Sequence, residues 1–147
     1  MGDEQVSAER SEFSRFRLRL LLKHPNVDPA EITKILKIMP NITRKAGEPK
    51  VTPRGTVLPG VHQSTVWVHT SRLVRGTMFS EHLSKYLARI QGAGEYFREF
   101  EASGGRVEVI VELPGDVAMG NTVDWKQLHA MSALHVDFGI EVFPNFK

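Results

Sequence analysis

From Phe13 to Leu22 the chain alternates without a break. Phe16, Leu18, Leu20 and Leu22 fall on one side of an extended backbone, and Arg15, Arg17, Arg19 and Leu21 on the other. A period of two with one apolar and one charged side predicts a strand with one face on a core and the other toward water. Such a strand needs neighbours in a sheet and a covering layer on its apolar side.

The next segment supplies part of that layer. In Asn26-Val27-Asp28-Pro29-Ala30-Glu31, Asp28 can cap a helix, Pro29 suits its first position and Glu31 can complete a capping box. Ile32, Ile35, Leu36 and Met39 recur at helical spacing and would lie on the sheet, and Pro40 stops the helix. From Pro40 to Gly60 four prolines and three glycines interrupt a stretch with almost no apolar periodicity, so a long connection with room for an edge strand is expected. Thr65 to Thr70, β-branched and aromatic, reads as a strand.

Ser80 is positioned to cap a helix carrying Leu83, Tyr86, Leu87 and Ile90, which Gly92-Ala93-Gly94 should break before Tyr96, Phe97 and Phe100 resume its apolar face. After Gly104-Gly105, Arg106 to Leu113 alternates, with Val107, Val109, Val111 and Leu113 inward and Arg106, Glu108, Ile110 and Glu112 on the reverse. Asp124 and Gln127 form a second capping-box pattern opening a short helix through Trp125, Leu128 and Met131. Val136, Phe138, Ile140 and Val142 mark a last strand.

This order predicts an α+β fold: a mainly antiparallel sheet with helices packed on one face, built on a ferredoxin-like βαββαβ core with an added helix and strand. Residues 1–12 are expected to be a flexible tail and 13–147 a single α+β domain. In that topology the first strand lies antiparallel beside Arg106 to Leu113, so Arg15, Arg17 and Arg19 would face Glu108 and Glu112 as cross-strand ion pairs. A chain of 147 residues buries enough surface to need no metal or disulfide.

The chain has no cysteine, which removes disulfide frameworks, thiolate metal sites and cysteine nucleophiles and favours a reducing compartment. Its opening, Met1-Gly2-Asp3-Glu4-Gln5, is polar and acidic, and no apolar run approaches the roughly 20 residues of a membrane span. A cytoplasmic protein without a membrane partner is expected. Net charge is only +2, but eleven Lys and Arg lie between Arg10 and Arg54 against four acids, while the part from Thr77 onward is acidic.

Phe16-Arg17-Leu18-Arg19-Leu20, Asp28-Pro29-Ala30-Glu31-Ile32-Thr33, Leu36-x-Ile38-x-Pro40 and Arg44-Lys45-Ala46-Gly47-Glu48-Pro49 together resemble the opening signature of a bacterial domain-of-unknown-function family, number 4279. Trp67, the Leu83 to Phe100 helix and the Phe138 to Phe143 ending follow in the family's order, so the resemblance covers roughly Phe13 to Phe143. Ala46, between Lys45 and Gly47, departs from the family pattern. The resemblance implies this α+β fold and a bacterial origin, and it implies no activity.

Motifs for catalysis are missing. The six histidines form neither a His-x-x-x-His pair nor a His-Glu-x-x-His box, so no metal is expected. Gly92-Ala93-Gly94 lacks the third glycine and the preceding strand of a dinucleotide fingerprint. There is no phosphate-loop consensus and no Gly-x-Ser-x-Gly elbow. Glu108 and Glu112, four apart on a strand, stand about 13 Å apart, too far for a glycosidase pair. No catalytic residue and no cofactor are therefore assigned.

What remains is recognition. Arg15, Arg17, Arg19, Arg44, Lys45 and Trp67 are the candidate binding residues, because arginine and tryptophan dominate interface energetics. The expected role is a non-catalytic protein-binding module, with an unknown protein or a second copy as partner. The alternative is a nucleic-acid-binding module using the basic N-terminal half, weakened by the placement of Phe16 on the leucine face. An enzyme of unknown class is a third and weaker reading.

Overall fold

A computed structural model of the chain describes residues 15–146. The expected tail, residues 1–12, and the start of the first strand at Phe13 lie outside the described residues. The elements in chain order are β1 (Arg15–His24), α1 (Pro29–Leu36), β2 (Ile42–Arg44), β3 (Pro49–Val51), β4 (Val57–Val61), β5 (Thr65–Thr70), β6 (Val74–Arg75), α2 (Phe79–Ile90), a 3-10 turn (Gln91–Ala93), α3 (Gly94–Ala102), β7 (Arg106–Pro114), α4 (Trp125–Ala133) and β8 (Val136–Phe143).

The main sheet runs β2-β5-β1-β7-β8, with β6 paired to the start of β1 and the β3–β4 pair forming a separate two-stranded sheet. β1 is antiparallel to both β5 and β7, and β8 joins β7 in parallel. The segment β1-α1-β2-β5-α2/α3-β7 is the ferredoxin-like core expected from the element order, and α4 with β8 is the added helix and strand. Parallel pairing of β7 and β8 follows from the helix between them, which returns the chain to the end where β7 began.

One apolar face of the sheet carries the core. Phe16, Leu18, Leu20 and Leu22 of β1, Trp67 of β5 and Val107, Val109 and Val111 of β7 are buried against Ile32 and Leu36 of α1, Leu83, Leu87 and Ile90 of α2, Phe97 and Phe100 of α3 and Met131 of α4. At α1 the Asp28 cap forms without the box that Glu31 was expected to complete, and at α4 the full box forms. Asp28 accepts from Ala30 N at 3.0 Å, and Asp124 and Gln127 bond reciprocally at 2.9 and 3.1 Å.

Three local expectations are corrected. α1 ends at Leu36, where Lys37 turns into the left-handed region (φ 56), so Ile35 and Met39 are exposed and Ile38 enters the core instead. Ser80 lies inside α2 rather than capping it, and its hydroxyl donates to Asn121 Oδ1 at 3.0 Å. In α4, Trp125 and Leu128 face outward and Gln127 is buried, because its amide donates to Ser80 O at 2.6 Å and Ser84 Oγ at 2.8 Å and ties α4 to α2.

His24 shows how the end of β1 is held. Its Nδ1 accepts the backbone N–H groups of Asn26 and Val27, both at 3.1 Å, and its Nε2 donates to Ser103 Oγ at 2.8 Å. The ring is therefore neutral with the proton on Nε2, and burial lowers its pKa, an effect the Glu31 charge partly opposes. No helix among the described residues is long and apolar enough to cross a membrane.

Candidate functional site

The three strand arginines are drawn into the fold's own contacts. Arg15 makes a two-pronged ion pair with Asp116 at 2.9 and 3.0 Å. Arg17 stands opposite Glu112, with its guanidinium 4.7 Å above the ring of Phe146, which folds onto this face. Arg19 bridges Glu112, at 3.4 Å, and Glu141 of β8. Glu112 was an expected partner, but Glu108 pairs with Arg106 of its own strand, at 3.9 Å, and lies over Gly139.

Trp67 is not a surface contact. It is fully buried, and its indole Nε1 donates to Thr33 Oγ1 at 2.9 Å, so it anchors β5 to α1. Its side chain points inward because Trp67 pairs with Leu22, which belongs to the apolar face of β1. Of the remaining candidates, Arg44 is exposed at the end of β2, and Lys45 is half-buried, its ammonium 3.5 Å from Asp28.

The long connection from Pro40 to Gly60 holds the edge strand expected there, β2, and beyond Arg44 and Lys45 a feature that was not expected. Beyond β2 and before β5 the chain runs out and back as the β3–β4 ribbon. Its root is pinned by Gly47 N to His62 O and His62 N to Glu48 O, both 2.9 Å, and by Ala46 N to Thr65 Oγ1 at 3.1 Å. At the tip, Gly55 N bonds Thr52 O at 2.9 Å, and Gly55 takes φ +86, which glycine adopts without strain. Every strand residue of the ribbon is exposed, including Val51, Val57, Leu58 and Val61. Lys50 and Arg54 lie on the ribbon itself and Arg44 and Lys45 precede it in the chain, with Glu48 at the root and Asp28 already paired to Lys45.

A two-stranded hairpin that buries nothing of its own is marginal in water. Here four apolar side chains are displayed on a backbone hydrogen-bonded at its root and turn, with a register irregularity between Pro49 and Val51. No periodicity in the sequence marks them, because prolines and glycines break the alternation and neither side faces a core. The signal that was available is the pairing of a turn, Thr52-Pro53-Arg54-Gly55, with valines on both sides of it.

Elsewhere, a groove of about 720 Å³ runs between α2, α3 and α4, lined by Leu87, Ala88, Ala130 and Leu134 with Glu95, Arg98 and His129 at hand. A second hollow holds His135 and Glu101, whose Nδ1 and Oε2 atoms lie 2.5 Å apart, beside Arg106 and Asp137. Neither brings two histidines together. Among the described residues no group of three or more His, Asp or Glu converges in a way that could hold a metal ion.

No curated protein and no solved structure matches this chain. A family match covers nearly all of it, from the charged strand β1 through the α4–β8 addition. Over residues 14–142 the sequence fits the family described as a domain of unknown function (DUF4279), and the chain belongs to that family.

Proposed function

We propose that this protein is a non-catalytic binding module that engages an acidic protein surface through its β3–β4 ribbon. The observation that carries the reading is the exposure of Val51, Val57, Leu58 and Val61 on a hairpin hydrogen-bonded at its root and turn. Exposed apolar groups rimmed by charge are typical of protein contacts. The cations at Arg44, Lys50 and Arg54 specify the sign of the partner's surface and would speed the encounter, whereas Lys45 is already paired with Asp28. The arginines of β1 have no part in this contact, since their guanidinium groups serve the fold. The same reading sets the protein in a bacterial cytoplasm, supported by the cysteine-free composition and the family resemblance.

The test uses the full chain, tagged, as bait in lysate from its own cells, beside the variants Leu58→Ser and Val57→Ser. A protein captured in stoichiometric amount by the native chain and lost with both variants supports the reading. Capture unchanged by the variants, or none at all, overturns it.

A second reading draws on the same ribbon. A two-stranded ribbon fits the width of the DNA major groove, and this one carries Lys50 and Arg54, with Arg44 and Lys45 before its root. In that case nucleic acid absorbing at 260 nm would co-purify, leave at high salt and be weakened by Arg44→Ala or Lys45→Ala. The four apolar side chains have no counterpart in a phosphate-tracking surface and favour the protein partner.

A further inference from the structure

We propose that the free edge of β8 is a homodimer contact, in which two copies of the chain pair antiparallel through β8 about a two-fold axis at Ile140. Among the described residues β8 ends the sheet opposite β2 and pairs only with β7. Its register with β7 runs unbroken from Val107↔Val136 to Pro114↔Phe143, so it is long and has no bulge. It contains neither lysine nor proline, the residues that usually block such an edge.

The side chains on the helix-bearing face of β8 are Val136, Phe138, Ile140 and Val142. The first is buried and the second half-buried, but Ile140 and Val142 are each 59% exposed. A row of backbone groups that no strand among the described residues pairs therefore runs beside exposed apolar side chains, which is the chemistry of strand addition.

The strand is complementary to itself in one register. Centred on Ile140, antiparallel pairing sets Ile140 against Ile140 of the second copy, Phe138 against Val142, Gly139 against Glu141 and Asp137 against Phe143. Moving the centre to Gly139 would set Asp137 against Glu141, and moving it to Glu141 would set that carboxylate against itself. Like charges directly opposite are unfavourable, so the acids select the register in which the apolar pairs also meet. Glu108, which lies over Gly139, and Glu141 each have an arginine of their own, Arg106 and Arg19.

This contact is independent of the ribbon, which leaves the sheet from the β2–β5 edge at the far side. A dimer through β8 would carry one ribbon at each end and so present two contact arms.

The experiment is light scattering coupled to size exclusion on the full chain, with oxidative cross-linking. The expected mass is twice the 16.5 kDa of one chain. Ile140→Lys should return the mass to one chain with an unchanged circular dichroism spectrum, and Leu58→Ser on the ribbon should leave the dimer intact. Because the chain has no cysteine, Ile140→Cys introduces the only thiol. Opposed Cα atoms in an antiparallel pair lie about 4.5–5.5 Å apart, within disulfide reach, so this variant should cross-link under mild oxidant and Asp137→Cys should not. A single-chain mass at micromolar concentration overturns the proposal. So does a dimer that survives Ile140→Lys, or an Ile140→Cys dimer that stays uncross-linked.

Discussion

The indole of Trp67 donates to the hydroxyl of Thr33 at 2.9 Å, and that hydroxyl in turn donates to Pro29 O at 3.3 Å. One strand residue thus closes the first turn of α1 onto the sheet. Trp67→Phe, which keeps most of the volume and removes the N–H, is expected to cost about 1–3 kcal/mol, and Trp67→Ala about 3–5 kcal/mol. Denaturant midpoints measured for the two variants check this order. Equal effects would mean that the packed ring adds nothing beyond the hydrogen bond, and an unchanged midpoint for Trp67→Phe would mean that the bond contributes nothing.

His24 makes stability depend on pH in a defined direction. Its folded pKa lies below the unfolded value of 6.5, so between these two values the unfolded chain binds more protons. The stability it contributes is fully present above 6.5 and is lost as pH falls through the folded pKa. Protonating Nδ1 also removes the acceptor for Asn26 N and Val27 N. Urea midpoints at pH 7.5 and 5 should differ more for the native chain than for His24→Gln. An identical pH slope in the two would refute the assignment.

Arg19 sits between Glu112, which is buried, and Glu141. Arg19→Ala strands the Glu112 carboxylate and should cost about 1–3 kcal/mol, less than a fully buried pair because the guanidinium is partly solvated. Adding Glu112→Gln to that variant should recover part of the loss. A double-mutant cycle with no coupling would show the bridge to be energetically neutral.

Gly105 ends the α3–β7 connection where a Cβ would lie 2.4 Å from Phe100 Cδ1 and 2.7 Å from the Phe100 carbonyl oxygen. The backbone oxygen cannot swing aside as a side chain can. Gly105→Ala is expected to destabilise the fold by about 1–3 kcal/mol, read as a lowered thermal midpoint. Gly92→Ala, with open space at its Cβ, is the control and should not lower it.

On the ribbon the expectation reverses. Val57→Ser and Leu58→Ser remove exposed side chains and should change stability by no more than about 0.5 kcal/mol. Their effect should fall on partner capture. A large loss of stability would mean that the ribbon packs on the body of the protein.

Most of the layout was legible locally. β1, the helix opened by Asp28-Pro29, the break at Gly92-Ala93-Gly94 and the Asp124–Gln127 box are each written in a few adjacent residues. The order of elements then favoured a ferredoxin-like core, since connections of these lengths leave few other pairings. The site was less legible. Trp67 is a candidate interface residue by type, and only its register with Leu22 turns it inward; the strand arginines were expected to pair across the sheet, but Asp116 and Glu141 as their partners come only from the fold.

The sequence by itself determined which elements form and which face of each is apolar, because capping, turn chemistry and periodicity act over a few residues. Tertiary structure decided which apolar side chains stay uncovered. Val57 and Leu58 stand on a ribbon that leaves the sheet, and Ile140 and Val142 lie on an edge strand at which the sheet ends. Burial is a property of what lies opposite a residue, and among the described residues little lies opposite these four.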